Sequence, residues 1–137
     1  ETFELEPAAD TCAYVVAQEP VSSSDWRLHH KTTRREPYGV FDRLKQEHPE
    51  LDEVILVNER RELTEGCRST LFIERDGAWL TPPLSSGLLD GCLRREMLEA
   101  GTPRIIEAVL RPADLDNGTV WFGNALRGLV RARPLPA

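Results

Sequence analysis

The sequence predicts a single α/β domain, and three observations support this fold class. Short apolar or alternating runs typical of strands recur along the chain, such as Glu53–Val57 and Ser69–Glu74. Apolar residues recur at helical spacing in two further segments. At 137 residues, the chain is long enough to bury one core and too short for two independent cores.

The first half of the chain is predicted to form three strands and one helix. Ala13–Gln18 is β-branched in its middle and reads as the first strand. A helix is expected between Pro37, which suits a first helical turn, and Pro49, which stops the pattern. Glu53–Val57 is a continuous apolar run typical of a buried strand, and the polar turn Asn58–Arg61 predicts a hairpin with the strand that follows.

The second half is predicted to begin with a hairpin and to continue through a loop into a helix. Asp76-Gly77 is a strong turn signal between the strands Ser69–Glu74 and Ala78–Leu80. The Ser- and Gly-rich loop Leu84–Gly91 precedes the second helix. The remaining predicted elements are a strand at Arg104–Leu110, a short helix or turn at Arg111–Leu115, and strands at Thr119–Phe122 and Leu129–Arg133.

Composition and charge limit the partners that the chain can have. Seventeen Lys and Arg against 23 Asp and Glu give a net charge of -6, so there is no overall basic field for nucleic acid or an anionic membrane surface. The apolar runs are too short for a membrane span, and the acidic first residues do not resemble a signal peptide. We therefore expect a soluble, cytoplasmic protein without nucleic-acid or membrane partners.

The cysteines and histidines predict neither a disulfide framework nor a metal site. Cys12, Cys67 and Cys92 cannot all pair, and they are too widely spaced for a zinc motif. His29 and His30 are adjacent, so their side chains project in different directions on a helix or a strand. We expect reduced thiols and no bound metal.

Lys31 and Glu65 are the first two candidate functional residues. Lys31 is followed by two threonines and two arginines, and a lysine near other cations loses its proton more readily and becomes a usable nucleophile. Glu65 precedes Gly66 in a turn where the backbone can approach another group closely, and such a carboxylate can keep a ring nitrogen protonated. The alternatives are a solvated basic loop and an ordinary turn glutamate.

Three further candidate residues lie at the start of a helix and at the end of a strand. Cys92 and Leu93 follow a glycine at the start of the second helix, whose free N–H groups favour a phosphate; the alternative is a cap made by Asp90. Asn124 follows a strand, a position that commonly faces a ligand crevice in α/β folds, but asparagine is also a common turn residue. The residues alone leave both alternatives open.

Four motifs together resemble the C-terminal half of class IV (fold-type IV) pyridoxal-phosphate-dependent aminotransferases. They are H-K-T-T at 30–33, N-E-R-R-E-L-T-E-G-C-R-S-T-L-F at 58–72, L-T-P-P-L-S-S-G-L-L-D-G-C-L-R at 80–94 and G-N-A-L-R-G at 123–128. The resemblance covers nearly all of residues 13–133. Within the family, the chain is similar to 4-amino-4-deoxychorismate lyases, especially those fused behind a para-aminobenzoate synthase component I, and N-A-L near the end favours lyases over transaminases.

The resemblance implies a fold and a cofactor. The fold is a mixed, barrel-like sheet with flanking helices, like the large C-terminal domain of the family, over residues 13–137. Residues 1–12 are then a linker or leading edge, and the family's N-terminal small domain is absent. The implied cofactor is pyridoxal 5'-phosphate.

The resemblance also assigns roles to the candidate residues. Lys31 is the catalytic residue and binds the cofactor covalently. Glu65 contacts the pyridine nitrogen, and the backbone amides of Cys92 and Leu93 contact the phosphate. Asn124 adds a further contact, and Arg94 matches the family's helix arginine, for which we expect a structural role. The chain departs from the family pattern S-N-L-F, in whose place it has Ser69-Thr70-Leu71-Phe72.

The implied activity is release of pyruvate from 4-amino-4-deoxychorismate to give para-aminobenzoate, a step toward folate. Because the small domain supplies part of the site in the family, we expect weak or no activity from this chain in isolation. The expected partners are a small-molecule substrate, a second copy in a homodimer, and an upstream synthase domain in the same full-length chain. Two alternatives remain: a branched-chain or D-amino-acid transaminase, and a non-catalytic docking or dimerisation module.

Overall fold

The computed structural model describes residues 11–25, 28 and 39–136. These residues form eight strands, two α-helices and two short 3-10 turns, at Leu84–Ser86 and Pro112–Asp116. The strands are β1 (Cys12–Val16), β2 (Glu53–Val57), β3 (Leu63–Gly66), β4 (Thr70–Arg75), β5 (Ala78–Thr81), β6 (Ile105–Glu107), β7 (Thr119–Asn124) and β8 (Gly128–Pro134). The helices are α1 (Val40–Glu47) and α2 (Cys92–Ala100).

The eight strands form one mixed sheet in the order β3-β2-β1-β8-β7-β4-β5-β6. Strand β1 pairs in parallel with both β2 and β8, and β5 pairs in parallel with β6. The remaining neighbours are antiparallel and include the hairpins β2–β3, β4–β5 and β7–β8. The predicted α/β fold with a mixed sheet and flanking helices is confirmed.

The sheet curls so that its two ends approach each other. Strand β3 lies at one end of the strand order, and β6 lies at the other. The backbone N–H of Leu63, the first residue of β3, donates a 2.7 Å hydrogen bond to the carbonyl of Leu110, just beyond β6. This contact agrees with the barrel-like sheet that the family resemblance implies.

Buried side chains form three clusters on the two faces of the sheet. The first cluster lies within the curl and includes Ile55, Leu71 and Phe122. The second lies beneath α1, whose Phe41 and Leu44 are partly buried against it, and the third lies beneath α2. Alternate residues of a strand face opposite sides of the sheet, so β2, β4 and β7 each contribute to two clusters. Among the described residues, no helix is both long and apolar enough to cross a membrane.

Helix α2 has the side-chain spacing that the sequence predicts. Leu93 and Met97 are four residues apart and are buried against Phe72 and the two tryptophans of the third cluster. The helix ends at Gly101, whose φ of 72° is the left-handed conformation in which glycine commonly ends a helix. The apolar face therefore fixes the helix on the sheet and fixes the direction of its first turn.

One predicted strand is wrong in length. Arg104–Leu110 was expected to be a continuous strand, whereas β6 covers Ile105–Glu107 alone. The backbone beyond β6 first donates to Thr81 through the N–H of Ala108 and then accepts from β3 through Leu110. The segment therefore changes its hydrogen-bonding partner, and the regular ladder with β5 stops early.

Candidate active site

Glu65 was expected in a turn, but it lies in strand β3. Its carboxylate is buried, with 6% of the residue exposed. Its Oε1 accepts a hydrogen bond from the backbone N–H of Leu89 at 3.4 Å. Leu89 lies in the loop that leads from β5 into α2. The contact therefore joins the strand with the predicted ring-nitrogen carboxylate to the loop before the predicted phosphate site.

The turn after Glu65 requires glycine because other side chains fill the space beside it. A Cβ atom at Gly66 would lie 2.6 Å from Ser69 Oγ and 2.7 Å from the carboxylate of Glu53. Glu53 is itself buried, and its Oε2 accepts hydrogen bonds from Ser69 Oγ at 2.7 Å and from the N–H of Arg68 at 3.1 Å. The Thr64-Glu65-Gly66 segment is therefore held against the start of β2.

The first turn of α2 has no side-chain cap. Gly91 is the N-cap residue with an extended backbone, φ −67° and ψ 155°. The alternative cap by Asp90 is wrong, because no side chain makes a capping hydrogen bond to this helix. Asp90 Oδ1 instead accepts a hydrogen bond from Arg94 Nη1 at 3.1 Å. The first N–H groups of a helix have no partner within the helix, so those of Cys92 and Leu93 are suited to an anionic ligand.

The first turn of α2 lies against the ends of two central strands. Thr70 pairs with Gly123 across β4 and β7. Thr70 Oγ1 lies 3.6 Å from the position that a Cβ atom would take at Gly91. A Cβ atom at Gly123 would lie 2.8 Å from Leu93 Cδ2, so glycine allows α2 to approach the strand closely. Thr70, which stands where the family pattern has asparagine, places its hydroxyl beside this helix start.

Asn124 is the last residue of β7, and its side-chain amide makes local hydrogen bonds. Its Oδ1 accepts from the backbone N–H groups of Leu126 and Arg127 at 3.0 and 2.8 Å. Its Nδ2 donates to the carbonyl of Arg68 at 3.2 Å. The side chain thus stabilises the β7–β8 turn and joins it to the turn after Glu65, in agreement with the turn interpretation. Its contact with a ligand stays a prediction.

The structure brings four of the five predicted site residues to one end of the sheet. Glu65 contacts the loop before α2, Cys92 and Leu93 begin α2, and Asn124 follows the glycine on which Leu93 packs. Lys31 lies outside the described residues. The described residues therefore include the predicted contacts to the ring nitrogen and to the phosphate. The catalytic role of Lys31 stays a prediction.

Sequence reasoning missed a group of hydrogen-bonded polar side chains, which we call the turn cluster: Asn58, Glu62 and Ser86, which are buried, and Arg60, which is exposed. Glu62 Oε1 accepts hydrogen bonds from Asn58 Nδ2 at 2.8 Å, Arg60 Nη2 at 3.1 Å and Ser86 Oγ at 3.2 Å. Asn58 and Ser86 are 0% and 1% exposed. The N-E-R-R motif is typical of a solvated polar turn, so its buried contacts were not predicted. The one indication of them in the sequence is the dense set of hydrogen-bonding groups directly after a buried strand.

Arg94 is buried in the first turn of α2 and makes ion pairs with Asp90, before the helix, and with Glu107, after it. Its Nη2 donates to the carbonyl of Pro82 at 3.1 Å and to Glu107 Oε2 at 2.6 Å, and its Nη1 donates to Asp90. The residue is 2% exposed. These contacts join α2 to both ends of the preceding loop and to β6, as expected of a residue with a structural role.

A cavity of about 260 Å³ adjoins Asn124 and is lined in part by Cys12, Glu53, Arg68 and Ser69. Burial raises the pKa of the Cys12 thiol to about 12, and the nearby carboxylates of Asp52 and Glu53 contribute. The thiol is therefore protonated at neutral pH and a poor nucleophile. Nothing in the lining assigns a covalent role to this cysteine.

The described residues fit the two ends of a pyridoxal phosphate molecule. A pyridine nitrogen needs a buried carboxylate, which Glu65 provides. A phosphate needs N–H donors without other partners, which the uncapped start of α2 provides. The two groups lie on segments joined by the Leu89–Glu65 contact.

Comparison with known proteins agrees with this fold and site. The family model for class IV aminotransferases, "Amino-transferase class IV", matches residues 2–135. The match covers nearly the whole chain. The chain belongs to the class IV aminotransferase family.

Individual relatives carry the names of two activities. A Schizosaccharomyces pombe protein named "Putative aminodeoxychorismate lyase" is 32% identical over 74 residues, which are 53% of this chain and 32% of that protein. The structure of a "Putative amino-acid aminotransferase" from Mesorhizobium loti is 37% identical with a TM-score of 0.82, covering 95% of this chain and 63% of that one. The chain thus spans less than two thirds of either protein.

A second similar structure supports the fold alone. It is that of a "Putative 4-amino-4-deoxychorismate lyase" from Legionella pneumophila, which is 17% identical with a TM-score of 0.85. The match covers 98% of this chain and 52% of that one. The chain therefore corresponds to about half of this structure.

Proposed function

We propose that the chain is the C-terminal, cofactor-binding part of a pyridoxal-phosphate-dependent 4-amino-4-deoxychorismate lyase. The products are pyruvate and para-aminobenzoate, a step toward folate. The observation that carries this proposal is that the buried Glu65 carboxylate accepts a hydrogen bond from Leu89, in the loop that leads to the uncapped start of α2. The lyase name of the S. pombe relative and the N-A-L segment at 124–126 support the choice of reaction.

In this lyase, each candidate residue binds the cofactor or moves a proton. Bound pyridoxal phosphate supplies an electron sink for charge that develops at the carbon bearing the amine. Glu65 holds a proton at the pyridine nitrogen, and the N–H groups of Cys92 and Leu93 hold the phosphate, with a further contact from Asn124. The Lys31 amine takes a proton from the reacting carbon and delivers one to the leaving enolpyruvate.

The proposal extends to the surroundings of the domain. We place the protein in the cytoplasm, as a homodimer, with a synthase domain upstream in the same full-length chain. We also propose that the 137-residue chain alone turns over slowly. The support is that it spans about half to two thirds of the similar structures, whose remaining residues have no counterpart here.

A transaminase acting on branched-chain or D-amino acids is the second candidate. The observation that favours it is the 37% identity with the Mesorhizobium loti protein, whose name is that of an aminotransferase, across 95% of this chain. The two candidates share the cofactor contacts, so the geometry of Glu65 and α2 does not separate them. They differ in their products.

Product analysis separates the candidates. The chain is incubated with pyridoxal phosphate and 4-amino-4-deoxychorismate, and pyruvate is measured with lactate dehydrogenase alongside chromatography of para-aminobenzoate. We expect slow, equal release of both products and loss of both in Lys31→Ala. Exchange of the amine between amino acids and 2-oxo acids without pyruvate release would contradict the lyase and support the transaminase.

Cofactor binding is tested separately by absorbance. Adding pyridoxal phosphate is expected to give a near-visible band that is lost in Lys31→Ala. A band that is unchanged in this variant would remove Lys31 from the site. The absence of any cofactor binding, together with a stable dimer by gel filtration, would instead favour a docking or dimerisation module.

A further inference from the structure

The turn cluster connects two segments that lead directly to the predicted cofactor contacts. The β2–β3 turn contains Asn58, Arg60 and Glu62, and it continues into β3, where Glu65 follows Glu62 by three residues. Ser86 belongs to the loop that continues through Leu89 and Gly91 into α2. The cluster therefore lies just before both the ring-nitrogen end and the phosphate end of the site.

The contacts between these two segments are numerous and largely buried. Ser86 makes two hydrogen bonds with the turn. Its hydroxyl donates to Glu62 Oε1, and its carbonyl accepts from Asn58 Nδ2 at 3.0 Å. The adjacent carbonyl of Ser85 accepts from Arg60 Nη2 at 3.2 Å. Asn58 Oδ1 in turn accepts from the backbone N–H groups of Arg60 and Glu62 at 2.8 and 3.0 Å, which fixes the turn itself.

The position of Glu62 makes it the centre of this arrangement. It is 7% exposed, and the same oxygen atom accepts from three side chains, one on the far segment. Removing the carboxylate would leave the buried donors of Asn58 and Ser86 without this acceptor, which is costly in a site of low dielectric constant. The loop would then lose its side-chain link to the strand.

We propose that Glu62 is a positioning residue that fixes the loop before α2 relative to β3, so that the carboxylate of Glu65 and the first N–H groups of α2 are set at the spacing of one ligand. This inference rests on the proposed function, because the ligand is pyridoxal phosphate. It assigns to Glu62, Asn58 and Ser86 a role in affinity without contact with the cofactor. A ligand held at two ends gains from both contacts together only when their spacing is preorganised.

The test compares the affinities of pyridoxal phosphate and pyridoxal, which lacks the phosphate. Dissociation constants are measured by absorbance or fluorescence titration for the wild-type chain, Glu62→Ala and Ser86→Ala, well below each protein's melting temperature. In Glu62→Ala, we expect the preference for the phosphorylated ligand to fall by about tenfold or more, because the two ends are no longer held at one spacing. Ser86→Ala should lower the same preference by a smaller factor.

The comparison of two ligands distinguishes positioning from general stabilisation, since a folded variant with merely lower stability keeps the wild-type preference. Glu99→Ala is the matched control, because it removes a carboxylate from the exposed face of α2. An unchanged preference in folded Glu62→Ala, or an equal loss in Glu99→Ala, would overturn the inference. If Glu62→Ala does not fold, Ser86→Ala decides: a lowered preference supports the inference and an unchanged one overturns it.

Failure of the inference and failure of the proposed function give different results. A wild-type chain that does not bind pyridoxal phosphate in preference to pyridoxal contradicts the proposed cofactor site, and the inference falls with it. A wild-type chain that has this preference, with variants that retain it, leaves the proposed function in place and removes the positioning role alone.

Discussion

The three cysteines differ in their surroundings although none of them forms a disulfide. Cys12 lines the cavity beside Asn124 and has a pKa raised to about 12, chiefly by burial. Cys67 is buried, whereas Cys92 is exposed at the first position of α2. Thiol reactivity follows the thiolate population and access, so these residues report on different parts of the molecule.

Alkylation should distinguish the thiols and report on the phosphate end of the site. At about pH 8, iodoacetamide is expected to modify Cys92 first and to leave Cys12 and Cys67 largely unmodified, because thiolate formation or access is suppressed there. Pyridoxal phosphate should slow modification of Cys92. Peptide mass spectrometry over time measures each site, and labelling of Cys92 at the same rate with and without pyridoxal phosphate would argue against a ligand at this helix start.

Glu62 gives a second prediction at the scale of a residue. Hydrogen bonds from Asn58 and Arg60 lower the pKa of its carboxyl from the usual 4.5. The folded state therefore binds this proton less tightly than the unfolded state. The stabilisation is fully present above about pH 4.5 and is lost as the pH falls through the lowered pKa.

Glu62→Gln should therefore destabilise the protein in a pH-dependent manner. We expect a loss of about 1–2 kcal/mol in the free energy of unfolding near pH 7, since hydrogen bonds to a charged acceptor are replaced by weaker ones. The difference from the wild type should shrink toward acid pH. Urea unfolding at several pH values measures it, with Glu99→Gln as the exposed control; a difference that does not vary with pH would contradict the assigned ionisation.

Glu62 and Asn58 also illustrate what the sequence leaves open at this scale. Thr64-Glu65-Gly66 was recognisable because glycine and a carboxylate form a compact signal. Asn58, Glu62 and Ser86 are ordinary polar residues of a turn and a loop, and their burial arises only when two segments far apart in the sequence meet. Local sequence gives no indication of such a meeting.

At the scale of elements, α2 depends on the third cluster for its position. Met97 is 0% exposed and packs with Phe72, Trp79 and Trp121. The helix makes no side-chain cap, so its packed face and the Arg94 contacts hold its first turn in place. Loss of this packing should affect stability first and the phosphate end second.

Met97→Ala is expected to lower the free energy of unfolding by about 2–5 kcal/mol, the usual range for truncating a buried side chain of this size. Chemical denaturation measures the loss. Glu96→Ala, the neighbouring exposed position on α2, should change the free energy by less than about 0.5 kcal/mol. Equal effects of the two substitutions would mean that α2 is not anchored through this face.

The strands differ in how well the sequence predicted them. Strand β2 has the predicted bounds, Glu53–Val57, because a continuous apolar run between polar residues marks a buried strand. The β4–β5 hairpin was equally clear, since Asp76 and Gly77 both adopt positive φ in its turn. Strand β6 was overestimated, because the change of hydrogen-bonding partner near Ala108 depends on how the sheet curls.

At the scale of the whole molecule, local signals predicted the elements, and the resemblance predicted their arrangement. Hairpin neighbours follow from short turns, but β1 lies between β2 and β8, and Cys12 pairs with Ala132 from the other end of the chain. No periodicity within β1 specifies that neighbour. The order of the sheet, and with it the end at which the candidate site forms, follows from pairings that a local pattern does not encode.

The hydrogen bond between Leu63 and Leu110 has a consequence for the behaviour of the protein at high concentration. The outer edge of a terminal strand is a template on which a strand of another molecule can add, the first step of sheet-type aggregation. In the part of the chain that the structure describes, the first N–H of β3 is already occupied by the Leu110 carbonyl. The curl thus gives one donor of this edge a partner within the same chain, and opening of this seam would expose that donor to a strand of another molecule.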